Sequence, residues 1–122
     1  MHPSELQSFN QALLKLLTLI YQCDQRIRLS EQDFVDDIAE GMEWHSRIPI
    51  DMYRAEAVIK ARQALDSDNI KPFLIELKAD LQADPALAMQ LARQMVDVDG
   101  ELNHNEEEIL TLLEEKILVA TV

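Results

Sequence analysis

The chain is expected to be all-α: a single-domain helical bundle of about six helices built from two pseudo-twofold helix–loop–helix repeats. Three observations predict this. Apolar residues recur at three- and four-residue steps along most of the 122 residues, and no stretch alternates as a strand would. Two glycines and four prolines are few, and the apolar content leans on Leu, Ala, Ile and Met, which favour helices. Finally, one acidic pattern occurs twice. Asp24 and Glu31 return as Asp99 and Glu106 at one constant offset, so Cys23 to Glu31 overlays Val98 to Glu106 without a gap.

Ser4 followed by Gln7 reads as a capping box for a first amphipathic helix over about 4–23, carried by Leu6, Phe9, Leu13, Leu16, Leu17 and Ile20. Ser30 with Asp33 reads as the next cap. The second helix then has Phe34, Val35, Ile38 and Met42 inside, and Asp33, Asp36, Asp37 and Glu40 in water. It ends around Gly41 to His45. Ile48-Pro49-Ile50 is expected to be extended, because proline pushes its predecessor out of the α region.

Asp51 is expected to cap a third helix whose inner face is Met52, Ala55, Val58, Ile59 and Leu65. Asp66 to Asn69 is a turn. Ile70, Phe73, Leu74, Leu77 and Leu81 mark a fourth helix, with Pro72 tolerated in its first turn. Asp84-Pro85 supplies a cap and a first helical residue for the fifth, lined by Ala88, Leu91, Ala92 and Met95. Ile109, Leu110, Leu113 and Ile117 line the sixth. Repeat one thus covers about residues 4–44, the connecting helices about 51–82 and repeat two about 84–118, all within one domain of residues 1–122.

The net charge of −12 repels phosphate backbones and argues against a nucleic-acid partner. Its natural counterparts are cations, either metal ions or a basic protein surface. Cys23 stands alone, which suits a reducing compartment. No basic region precedes the apolar stretch that begins near Leu13, and that stretch is too short and too interrupted to cross a bilayer. The expected setting is therefore cytoplasmic, without membrane insertion.

The repeated carboxylates are the one constellation that looks like chemistry. Asp24 lies four residues beyond Ile20, and Asp99 four beyond Met95, which turns each about 40° from a core position. Glu31 precedes Val35 and Ile38 as Glu106 precedes Leu110 and Leu113. All four are expected to tend inward, whereas Glu107, Glu114 and Glu115 face solvent. Inward carboxylates are costly unless paired, hydrogen-bonded or bound to a cation.

Against the EF-hand loop, Asp97 would take position 3, Asp99 position 5, Gly100 position 6, Leu102 position 8, Asn103 position 9 and Glu106 position 12. Position 1 fails, because Met95 offers no oxygen. The first copy has Ile20 at position 1, Gln22 at 3 and Gln25 where glycine belongs. Any such site would be weak, on the order of 10⁻⁴–10⁻³ M, unless the other copy completes it. The competing reading is capping: a glutamate in a helix's first turn bonds backbone N–H groups and binds nothing.

A helix ending in Asp-Gly-x-apolar, with glutamate seven residues after the aspartate, used twice in an all-α domain, resembles the TerB-like (tellurite-resistance) family. The resemblance spans about Leu13 to Ile117. It implies pseudo-twofold halves, acidic residues gathered near the loops, a part in bacterial stress or tellurite resistance, and binding of a metal with no enzymatic reaction. Asp24, Glu31, Asp99 and Glu106 match the acidic signature by position. Gln25 departs from it where glycine is usual, and Arg28 and Asn103 replace the typical serine.

His2, His45 and His104 show no ligand spacing to one another or to Cys23, so Ca²⁺ or Mg²⁺ is favoured over Zn²⁺. Trp44 is expected to anchor packing, and Met42, Met52, Met89 and Met95 to enter the core. A metal-dependent hydrolase is disfavoured, since no general base or histidine ligand set is identifiable. The leading expectation is a non-catalytic module with Asp97, Asp99 and Glu106 as candidate metal ligands and Asp24 and Glu31 as their pseudo-symmetric partners. The alternative is a protein–protein interaction adaptor whose repeated carboxylates are only helix caps.

Overall fold

A computed structural model describes residues 3–22, 29–44, 46–97 and 104–117. Every regular element in them is helical: α1 (Pro3–Gln22), α2 (Leu29–Gly41), α3 (Ile50–Asp66), α4 (Ile70–Leu81), α5 (Pro85–Asp97) and α6 (His104–Leu112). One π-helical turn, Leu113–Ile117, continues α6 and keeps both of those end residues in the core. No strand occurs among the described residues.

α1 is the strut on which the others are laid, and it is buried further round than a one-sided amphipathic helix. Leu14, Leu16, Leu17, Leu19 and Ile20 are all closed off from solvent, and so is Thr18. A helix with a wide apolar face is covered by several neighbours, and the sequence carries that signal in Leu14 and Leu19, which lie off the expected stripe. Each such leucine contributes roughly 1.5–3 kcal/mol by leaving water.

The helices alternate in direction. Asn10 of α1 donates to the Glu43 carbonyl just beyond α2 at 2.9 Å, so the start of α1 meets the end of α2. The Tyr53 hydroxyl donates to the Gln11 carbonyl at 3.3 Å, and Arg62 donates to the Gln22 carbonyl at 3.1 Å, so α3 runs alongside α1 in the same sense. The last turn of α4 faces Ser4 and Ser8 of α1, in the opposite sense. The first half of α5 (Leu87 and Leu91) lines one groove with Leu6 and Leu13 of α1, and α5 starts from the end of α4, which returns it to the direction of α1. Arg93 pairs with Glu114, and Gln82 donates to the Ile117 carbonyl at 2.6 Å, bringing the end of the last described helical turn back to the end of α4.

α3 corrects the expected inner face. Its buried residues are Tyr53, Ala57, Ala61 and Ala64, whereas Met52 is 64% and Ile59 59% exposed, Ala55 is exposed, and Val58 and Leu65 are partly buried. Alanines let the α3 backbone approach α1 closely, and a seam of small residues wins over larger apolar ones that cannot fit there. Met52 therefore lies outside the core, while Met95 is in it and Met42 and Met89 pack on its edge.

Helix starts also differ from expectation. α3 begins at Ile50, so that residue is helical rather than extended; Pro49 (φ −57°, ψ 144°) precedes it and makes no side-chain cap bond. Asp51 is thus not the cap but lies in the first turn, where its charge still suits the helix dipole. α1 begins at Pro3 and α2 at Leu29, which puts Ser4 and Ser30 inside their helices. The Asp84 cap is as expected: its Oδ1 accepts the Leu87 N–H at 3.2 Å. Between α3 and α4 the chain reverses through Asp68 at φ 55°, a left-handed conformation that aspartate tolerates better than most residues.

Candidate functional site

Alternation of the helices fixes where the acidic segments start. α1 and α5 run in the same sense, so Gln22 and Asp97, the last described residues before each segment, lie at the same end of the bundle. α2 and α6 start from that end and run back. Asp24 and Asp99 lie outside the described residues, as does the side chain of Glu31.

Of the five candidate ligands, Glu106 and Asp97 are described in full, and they differ. Glu106 is 1% exposed in the first turn of α6, beside Ile109 and Leu113 of the core. Its spacing to Leu110 and Leu113 required that inward turn. Asp97 ends α5 and is exposed. Glu107, Glu114 and Glu115 are exposed too. Among the described residues, no three of His, Cys, Asp and Glu are grouped so as to hold a metal ion.

A buried carboxylate needs compensation from hydrogen bonds, an opposite charge or a cation. The start of α6 can supply the first, since N–H groups in an initial turn lack intrahelical partners. Glu106 and Glu107 sit in that first turn, where a carboxylate suits the helix dipole. His104 is exposed at the start of α6.

Sequence reasoning missed Lys15. It breaks the apolar face of α1, is half-buried, and carries its ammonium 5.6 Å from the centre of the Tyr53 ring. Burial lowers its pKa below the usual lysine value and Lys60 lowers it further, partly offset by Glu56, Glu76 and Asp80. Burial also raises the Tyr53 pKa, with Glu56 and Asp80 adding to it. Both lysines border an open groove of about 720 Å³ between α3 and α4, with Gln63, Asn69 and Phe73. Lys60 is held by Glu56 at 2.9 Å in an exposed pair, which lowers the Glu56 pKa. The only signal for Lys15 was its position among buried leucines. Trp44 stacks obliquely on Tyr53, with ring centres 5.4 Å apart, and donates to the Ile48 carbonyl at 2.8 Å, as a packing anchor does.

No protein-family model matches the chain, and no characterised protein or solved structure is significantly similar to it. No helix among the described residues is long and apolar enough to cross a membrane.

Proposed function

We propose that this protein is a non-catalytic acidic helical module of TerB-like type. On this reading it binds a divalent cation, Ca²⁺ or Mg²⁺ before Zn²⁺, through Asp97, Asp99 and Glu106, with Asp24 and Glu31 as pseudo-symmetric contributors. α1–α2 and α5–α6 are its two repeats. The observation that carries the reading is the burial of Glu106 at the end of the bundle from which both acidic segments depart. The mechanism is linkage: an ion relieves repulsion among clustered carboxylates and stabilises the loop geometry that a partner reads. Its setting is cytoplasmic, in stress or tellurite-resistance processes, as the resemblance implies.

Thermal melting with Ca²⁺, Mg²⁺, Mn²⁺ and Zn²⁺ tests it. At 10 mM ion, a site of 10⁻⁴–10⁻³ M affinity stabilises by about 1.4–2.7 kcal/mol. If no ion raises the midpoint, the cation reading fails.

A second reading has its own support: Glu106 and Glu107 fill the first turn of α6, where carboxylates interact with free N–H groups and the helix dipole. The protein is then an adaptor for a basic protein surface, matched to its charge of −12, and the carboxylates are only caps. Asp99→Asn combined with Glu106→Gln separates the two. Loss of the cation response with the fold intact supports the metal site, and destabilisation in metal-free buffer supports capping.

A further inference from the structure

At the opposite end of the bundle, α1, α2 and α5 border an apolar groove of about 460 Å³ open to solvent. Its walls are Ile38 of α2 with Met42 just past the end of that helix, and the i,i+4 pair Leu87 and Leu91 on α5. Leu6, Phe9 and Leu13 of α1 form the floor, with Phe9 and Leu13 buried. Leu87 is 37% exposed, and the other three wall residues are partly buried. At Gly41 an added Cβ would meet no atom within 4 Å, so the mouth is open there.

The rim decides the occupant. Asp37, Glu43 and Asp84 line it, and no lysine or arginine does among the described residues. We propose that this groove receives the apolar face of a lysine- or arginine-bearing amphipathic helix from a partner protein. Facing α2 and α5 walls over an α1 floor accept leucine-like side chains at i, i+3 and i+7, and the rim carboxylates meet the cationic flanks. A second copy of the chain brings a net charge of −12 to a rim of the same sign. An anionic lipid surface meets the same repulsion. The inference goes beyond both readings of the acidic segments, because no residue of either segment lines the groove.

The probe is a helical peptide of about 16 residues with leucines at i, i+3 and i+7 and lysines elsewhere. A counterpart has glutamate in place of each lysine. Titrations are run in EDTA, so failure of the cation reading leaves this result untouched. Sedimentation of the protein alone first establishes its oligomeric state. Saturable binding of the lysine peptide is expected, with methyl shifts at Ile38, Met42, Leu87 and Leu91 and none for the glutamate peptide. Leu87→Glu weakens it about tenfold or more, while Leu87→Met retains it. Asp37→Lys weakens it about threefold, mainly through the association rate. Melting curves confirm that each variant is folded. The proposal is overturned if the lysine peptide does not bind, if the glutamate peptide binds equally, if Leu87→Glu binds unchanged, or if the protein self-associates through this face.

Discussion

The two ends of the bundle treat carboxylates in opposite ways. Where the acidic segments depart, Glu106 is taken out of water at the start of a helix. At the other end, Asp37 and Glu43 stay in water while Leu87, Leu91, Ile38 and Met42 face an open groove. The two ends thus set different physical demands. A carboxylate removed from water has to be compensated on the spot. Apolar side chains left beside water are tolerated by the fold and gain when something covers them.

Both ends hang on α1, so the largest effect comes from damaging it. Leu17→Ala should cost about 2–5 kcal/mol in chemical denaturation, with both ends losing structure in one transition. Separate transitions for the two ends would break the single-core account. Next comes the α1–α3 seam: Ala61→Leu should cost about 1–3 kcal/mol, because Ala61 is fully closed off from solvent and a larger side chain overpacks there. Ala55→Leu on the exposed face is the matched control and should change stability by no more than about 0.5 kcal/mol.

That seam also marks where sequence reading succeeded and failed. Helix number and approximate bounds were legible, because each apolar run has the right period and punctuation such as Asp84-Pro85. The inner face of α3 was not. Met52 and Ile59 are more apolar than Ala57 and Ala61, but the competition was decided by how near α3 could come to α1, which depends on a partner helix far away in sequence. The wide burial of α1 had a visible sign in Leu14 and Leu19. The inward turn of Glu106 followed from its spacing to Leu110 and Leu113. The groove had no local signature, since its walls and floor come from three separate helices.

A smaller effect is expected at alkaline pH. The folded pKa of Tyr53 lies above its unfolded value near 10, so the folded state holds its proton longer. Its contribution is fully present below the unfolded value and is lost as pH rises through the folded one. Tyr53→Phe should therefore cost about 1 kcal/mol at neutral pH and flatten the fall in stability above pH 10. An unchanged alkaline limb would contradict this. The depressed Lys15 pKa acts with the opposite sign, so parent and variant are compared at matched pH.

The smallest effect sharpens the contrast between the ends. Leu87→Glu should leave stability within about 0.5 kcal/mol of the parent, since the side chain is already partly in water. A large loss would mean that the groove wall belongs to the core rather than to a partner.

The proposed cation site would join both acidic segments at the end holding Glu106. A Ca²⁺ titration followed by amide NMR shifts tests it most directly. If such a site forms, shifts concentrate in residues 23–31 and 97–106, and both segments share one midpoint. Shifts spread over the exposed acidic face of α2 at Asp33, Asp36, Asp37 and Glu40, or none up to 10 mM ion, would contradict it.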